Sequence, residues 1–366
     1  MHSENPSLNL RASERLLLKL IRQYSPSRAE LSQLAGLTPG AITQYCRKLL
    51  FLGLIKENEK AVKKRGQPSF HLSLNHAACC SIGITFLNEE FYLSIVDFAG
   101  NKIANGIYPY QSKTDLACLF SQLKQAIVQM LDKKCLSEAR ILGVGLSVSG
   151  YVLADESRSS PWFPLLQNQP NLTALFEQHL GYPCWIENNI NTIAIGEYYT
   201  GEWNQINDIV VISLDFGIGA GIISQGKLIR GGFGNAGEIG LLFPYGQPRP
   251  SWKDLTSYLT VHKLDKTPLN DLIAKQHPIM QDWLNNAKQQ VLSLTLSAIA
   301  WLDPKVIVIT GMLPIYIIEQ IMHYIKNAPE LNMGRTIAEL KISQVNIEDI
   351  SIGAAILPIH RLLQYY

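Results

Sequence analysis

Two kinds of hydrophobic spacing divide the chain. Up to about residue 55, apolar side chains recur three and four positions apart; from residue 77 they come in strand-length runs separated by turns and amphipathic stretches. In the first part, Leu16, Leu17, Leu20 and Ile21 predict a helix over roughly 12–24, and Ser25-Pro26 ends it. Ser27-Arg28-Ala29-Glu30 is a capping box, in which hydroxyl and carboxylate satisfy each other's backbone N–H groups. It opens a short second helix with Leu31 and Leu34 expected to face inward, and Gly36 supplies a tight turn. Thr38-Pro39 starts a third helix, with the hydroxyl as cap and proline where its missing N–H costs nothing. Ile42, Tyr45, Cys46, Leu49 and Leu50 form its expected buried stripe, leaving Gly40, Ala41, Thr43, Gln44, Arg47 and Lys48 on the other faces. A strand near Ile55, a basic tip through Lys63-Lys64-Arg65-Gly66-Gln67-Pro68 and alternation over 70–74 complete a wing.

From residue 77 the pattern predicts strands at 81–87, 91–98 and 102–108, a helix at 116–131 and a buried strand at 141–148. A helix at 172–180, a short strand at 184–187 and a helix at 190–199 follow. A second run repeats this order, with strands at 208–214 and 220–224 and helices at 255–259 and 281–301. Strand 306–310, helix 315–325, strand 341–345 and helix 352–363 close it. The fold class expected is α/β. It comprises a winged helix-turn-helix at 1–75, a first lobe at 76–200 and a second at 201–366.

Composition narrows the classes. The 366 residues are 47% hydrophobic and 17% charged, which excludes a disordered chain. No apolar run reaches the ~18 residues of a spanning helix, so no membrane contact is expected. Glu4, Arg11, Glu14 and Arg15 fall where a signal peptide needs its apolar core, and the six cysteines form no C-x-x-C pair. A cytoplasmic protein with reduced thiols is expected, with no metal site and no cofactor. The net charge of +2 is unevenly placed: residues 1–75 hold 12 Lys/Arg against 5 Asp/Glu, a surplus of +7, and the remainder carries −5. A basic head on a mildly acidic body suits a polyanionic partner.

Together, capping box, turn, polar helix face and basic wing point to double-stranded DNA. Gln44 suits adenine, which an amide bonds with two hydrogen bonds, and Thr43 suits base edges. Arg47, Lys48, Lys63 and Lys64 suit phosphates, and Arg65 with Gly66 suits a narrow minor groove. Thr38, Gly40, Ala41 and Gln67 complete the expected DNA-contacting set. The bland alternative is a three-helix interaction module with a solvated basic loop.

The body carries Glu187-Asn188-Asn189-Ile190-Asn191, Gly217-Ile218-Gly219-Ala220-Gly221, Gly234-Asn235-Ala236-Gly237-Glu238-Ile239-Gly240, Asp303-Pro304-Lys305-Val306 and Gly353-Ala354-Ala355. These motifs, in this order and behind such a head, resemble the ROK family of repressors and sugar kinases over nearly the whole chain. The resemblance implies a two-lobed actin-like (ribonuclease H-like) sugar-kinase fold. Family repressors act on xylose, glucose and N-acetylglucosamine regulons.

The departures from the kinase pattern are as specific. The family's Asp-x-Gly-Gly-Thr phosphate loop is replaced around Ser81-Ile82-Gly83-Ile84-Thr85-Phe86, and its Gly-Thr-Gly loop by Asp215-Phe216-Gly217, where a carboxylate repels phosphate. The position of the family's catalytic aspartate holds Asn189, an amide that cannot accept a proton. The family's zinc loop is absent: its histidine position is Leu241, and 243–252 lacks cysteine.

Gly150, Asn188, Asn189 and Glu238 are what the resemblance leaves as contacts for a sugar or sugar-phosphate effector. Their structural alternative is helix capping by Asn188 and Asn191 and a core network around Glu238. Trp162 and Trp252 are candidates to stack on a sugar, though lone aromatics are more often core. The leading expectation is a sugar-responsive, homodimeric or higher-order repressor without phosphotransfer. The alternatives are an active carbohydrate kinase, or a constitutive DNA-binding or partner-receptor protein on a decayed kinase scaffold.

Overall fold

The computed structural model describes residues 8–59, 70–87, 89–110, 115–153, 157–160, 163–167, 169–200, 203, 205–243, 246–332 and 334–364. The head opens with α1 (Ala12–Tyr24), α2 (Arg28–Ala35) and α3 (Pro39–Phe51). The local signals act as read. The Ser27 hydroxyl accepts from Glu30 N–H at 3.3 Å, and Glu30 Oε2 accepts from Ser27 N–H at 2.7 Å. Gly36 ends α2 at φ +64, and Thr38 Oγ1 caps α3 on Ala41 N–H at 3.3 Å. Strands β1 (Ile55–Glu59) and β2 (Phe70–Leu74) pair antiparallel, Ile55 opposite Leu74 and Glu57 opposite Leu72.

Leu17, Leu18, Ile21, Leu31, Ile42, Cys46, Leu49, Leu54 and Leu72 are buried. Leu34 is not the inward residue expected; it is 46% exposed, and Leu31 is the residue of α2 that is buried. Tyr45 and Leu50 flank the α3 stripe half-buried.

The body begins with an antiparallel meander, β3 (Cys80–Leu87), β4 (Glu90–Asp97) and β5 (Lys102–Pro109). Helix α4 (Leu116–Lys133) leads to β6 (Ile141–Ser147), parallel to β3; a small hairpin follows, β7 (Tyr151–Val152) with β8 (Arg158–Ser159). Helix α5 (Leu172–Leu180), strand β9 (Cys184–Glu187) and helix α6 (Asn189–Thr200) finish this half, giving sheet order β5-β4-β3-β6-β9.

The second compact unit is Ile206–Val345. Its strands are β10 (Ile209–Leu214), β11 (Ile218–Ser224), β12 (Lys227–Leu228), β13 (Val306–Gly311) and β14 (Glu339–Ile342), in order β12-β11-β10-β13-β14. Antiparallel neighbours followed by two parallel strands reproduce the plan of the first sheet. Helices α7 (Trp252–Val261), α8 (Leu269–Ala274), α9 (Pro278–Leu302) and α10 (Ile315–Lys326) surround a core that includes Trp283, Val291, Leu292, Leu294 and Ile299. The apolar stretch of α9 is thus largely core. β14 lies two residues earlier than the spacing predicts, since its register is set by pairing Val306 with Glu339.

The last helix, α11 (Ile352–Leu363), corrects the domain boundaries. Residues Asn346–Tyr366 group with Met1–Gln205, so the second lobe does not extend to 366, and head and first lobe form one unit. The cause is packing: ten residues of α11 are buried, and its first turn sits backbone-to-backbone on β3, β6 and α6. Ser81 Oγ bonds Ala355 O, and Ser94 and Ser351 share a 2.7 Å hydrogen bond.

Candidate functional site

The polar face of α3 is presented by the capping and turn signals described above. Thr38, Gly40, Gln44 and Arg47 are exposed, and Ala41 and Thr43 half-buried beside them. Thr43 Oγ1 donates back to Pro39 O at 2.9 Å. Lys48, expected to meet phosphate, also makes an ion pair within the head. Its ammonium lies 2.7 and 2.9 Å from the two carboxylate oxygens of Glu14, a residue 1% exposed, and this ion pair ties α1 to α3. Arg28 and Glu57 pair at 2.7 Å and fix α2 to the wing. Lys63, Lys64, Arg65 and Gln67 lie outside the described residues, as does Trp162.

In the first lobe, Asn188 stands between β9 and α6. Its Nδ2 donates to Gly150 O at 3.2 Å, its Oδ1 accepts from Ile190 N–H at 3.3 Å, and its own N–H donates to Glu187 Oε1 at 3.0 Å. Asn191 Nδ2 reaches the same Glu187 oxygen at 3.0 Å. Asn188 therefore acts partly as a cap, whereas Asn191, inside α6, bonds the Glu187 carboxylate and not a backbone group. Asn189 differs: its half-buried side chain makes no hydrogen bond among the described residues, leaving it available to a ligand hydroxyl. Gly150 has φ +118, and a Cβ there would meet Ser159 O at 1.9 Å, so the β7–β8 hairpin requires glycine. Gly150 and Asn188 are thus brought into contact.

Glu238 belongs to the second unit. It follows Gly237, whose carbonyl accepts from Ala220 N–H at 2.7 Å, and burial pushes its carboxyl above the usual carboxylate range. Asp215 closes the β10–β11 turn; its Oδ1 accepts from Phe216 N–H at 3.1 Å, and its carbonyl accepts from Trp252 N–H at 2.9 Å. A phosphate would meet a carboxylate and an N–H already bonded. Trp252 packs partly buried against the second unit's core.

Burial raises Asp215 to about 6. The folded state therefore binds this proton more tightly than the unfolded chain, and stability falls as pH rises from ~4 to ~6. Asp215→Asn, which keeps the acceptor for Phe216, is expected to stabilise the protein at pH 7.5 by up to about 3 kcal/mol and to have little effect at pH 4. Thermal unfolding at both pH values checks this; an equal shift at the two would refute it.

A zinc ion does not fit the residues where the family holds one. Leu241 is 75% exposed, 243–252 supplies no thiol, and among the described residues no group of three His, Cys, Asp or Glu is placed to hold a metal. Among the described residues no helix is long and apolar enough to cross a membrane.

Sequence spacing missed Arg15, Arg22 and Gln23 of α1. Leu18 is fully buried although it lies off the Leu17–Ile21 stripe, and Arg15 and Arg22, seven apart, share its side of the helix. Arg15 Nη1 donates to Leu362 O at 3.1 Å, and Gln23 Nε2 to Tyr198 Oη at 3.1 Å. The second apolar position on α1 was the available signal.

The ROK family model matches residues 83–245. The chain is 28% identical over 365 residues to the uncharacterized protein y4fQ of Sinorhizobium fredii, covering 97% of this chain and 92% of that protein. It is 30% identical over 239 residues to the xylose repressor of Caldicellulosiruptor bescii, covering 64% of this chain but only 59% of that repressor. Among solved structures, a ROK family transcriptional regulator, a homologue of the Escherichia coli Mlc protein, superposes with a TM-score of 0.73 at 19% identity, covering 96% of both chains. The ROK hexokinase of Thermus thermophilus superposes with a TM-score of 0.63 at 19% identity; it covers 75% of this chain and 96% of the kinase. At these identities the two structures establish the fold.

Proposed function

This chain carries a ROK family domain at residues 83–245, and we propose that this domain, behind its winged helix-turn-helix head, makes it a DNA-binding transcriptional repressor of carbohydrate-uptake or carbohydrate-metabolism genes. The observation that carries the reading is the exposed polar face of an α3 capped by Thr38, with Gln44 and Arg47 outward on a buried three-helix frame. The xylose repressor and the solved ROK regulator support the same assignment by similarity. Gln44, Thr43 and the α3 start (Thr38, Gly40, Ala41) read bases. Arg47 and the wing residues Lys63, Lys64, Arg65 and Gln67 hold the backbone. Two heads in a homodimer engage two half-sites, because one short helix reads too few base pairs for useful specificity. The site of action is the cytoplasm, where the operator is.

The effector is a sugar or sugar derivative held by Asn189 and Asn188, with Gly150 beside them. It acts by binding one conformation better than the other. Phosphotransfer has no part in this reading: Asn189 cannot take a hydroxyl proton, and Asp215 is set against phosphate. The kinase alternative rests on the fold shared with ROK hexokinases alone.

The test is selection of genomic fragments by the full-length protein, then affinity against salt and against a sugar panel that includes D-xylose and N-acetylglucosamine. A two-fold-symmetric site whose affinity falls steeply with salt, and falls again with one sugar, is the expected result. Absence of any enriched fragment would overturn it.

A further inference from the structure

Helix α1 has two working faces. One, through Leu17 and Ile21, is core of the head, and on it the buried Glu14 grips Lys48 of α3. The other meets the body. The Arg22 guanidinium lies 4.1 Å from the Tyr199 ring centroid and 4.8 Å from that of Tyr198, at the last turn of α6. Its Nε and Nη2 are buried with no hydrogen-bond partner among the described residues, and the two aromatic faces are the contacts the guanidinium makes there. Seven residues earlier, Arg15 bonds the last carbonyls of α11, at 3.1 Å to Leu362 O and 3.5 Å to Arg361 O.

Helices α6 and α11 are locked to each other. A Cβ on Gly353 would stand 1.8 Å from Thr192 O, and one on Gly196 3.4 Å from Gly353 Cα. Where α6 ends, His360 of α11 meets Tyr199 and Tyr198 edge-on at 5.7 and 6.2 Å. Where α6 begins, about 15 Å away at 1.5 Å per residue, stand Asn188 and Asn189. There Asn188 is tied to Gly150, and Thr192 Oγ1 is 3.0 Å from Ser147 Oγ.

We propose that α6 and α11 move as one rod and that α1 carries their position to the recognition helix, with Arg22 on Tyr198 and Tyr199 as the joint. The role at the α6 start rests on the effector reading above. A ligand that competes for the Asn188–Gly150 hydrogen bond shifts the start of the rod. The shift reaches Tyr198 and Tyr199, where the Arg22 guanidinium lies over the rings and its Nε and Nη2 have no hydrogen-bond partner among the described residues to keep it in register. Glu14–Lys48 passes the displacement to α3. Packed elements of this kind switch between discrete arrangements and do not bend continuously.

The test uses the full-length chain with spin labels at the exposed native Cys118 and at a cysteine replacing Gln33 on α2, in a Cys135→Ser background; the other four cysteines are buried. The parent is expected to give one narrow distance distribution, Arg22→Met at least a doubled width, and Arg22→Lys an intermediate one. An Arg22→Met distribution as narrow as the parent's would overturn the joint. Asn188→Ala should displace the distribution in the Arg22 background and leave it unchanged in Arg22→Met; equal displacement in both would overturn the coupling, because residues this far apart are otherwise additive. D-xylose and N-acetylglucosamine are then added to each protein. A sugar-induced displacement that is lost in Arg22→Met, with sugar affinity retained, supports the proposal, and one that persists overturns it. If neither sugar binds the parent, the effector reading loses its support, while the Asn188–Arg22 cycle still decides the joint.

Discussion

Gly145→Val is expected to cost more than about 4 kcal/mol and to remove most soluble protein. Gly145 lies on β6 under the first turn of α11, and a Cβ there would stand 1.9 Å from Ala354 O and 3.1 Å from Leu357 Cβ. The obstacle is backbone, so no side-chain rotation relieves it. Either α11 lifts from the sheet or β6 leaves its register. Lifting α11 exposes Ile356, Leu357 and Ile359, each fully buried, and frees the carbonyls that hold Arg15. Gly83→Val meets Ala355 N at 2.1 Å and Ser351 O at 2.3 Å and should behave alike. Gly36→Ala is the control: nothing lies within 4 Å of its Cβ, and only its φ of +64 opposes alanine, at about 1 kcal/mol. Soluble yield and thermal unfolding of the three variants check the comparison. A Gly145→Val protein melting within a few degrees of the parent would show that α11 does not bear on β6 as described.

Gln44→Ala is expected to weaken the selected operator by about 5- to 150-fold, or roughly 1–3 kcal/mol, and to relax discrimination at one base pair per half-site. Arg47→Ala should weaken all sequences alike and lower the slope of log affinity against log salt by about one per head. Lys48→Ala separates geometry from charge. Its ammonium already neutralises Glu14, so the salt slope should stay unchanged while affinity falls through a loosened α1–α3 contact. Affinity measured at four salt concentrations on the operator and one scrambled duplex distinguishes the three. If Gln44→Ala keeps full discrimination between the two duplexes, α3 does not read bases through this residue.

The head was legible almost residue by residue because its signals are local. Ser27 with Glu30, Gly36 and Thr38-Pro39 act within four residues of themselves, and the structure realises each of them. The sheets were legible as elements for a similar reason, since alternation and turn residues set strand ends to within a few positions. The short α8 and the β7–β8 hairpin were not, because six residues and two pairs of two residues are too few to establish a period. In the candidate effector site, the residue types at 188 and 189 were readable. That Asn188 is occupied with Gly150 and Ile190 while Asn189 is not depends on a carbonyl 38 residues away.

By itself, the sequence determined a basic winged helix-turn-helix, a duplicated α/β body that resembles the ROK family, and an amide at Asn189 and a carboxylate at Asp215. These are matters of residue identity, short spacing and charge. Tertiary structure alone decided that α11 returns to the first unit, that Lys48 belongs to Glu14, and that Arg15 and Arg22 fasten the head to α11 and α6. The reason is physical. An arginine on a half-apolar helix reads as a solvated charge until the fold brings a helix end or an aromatic face within 5 Å of it, and those partners lie more than 170 residues away in the chain.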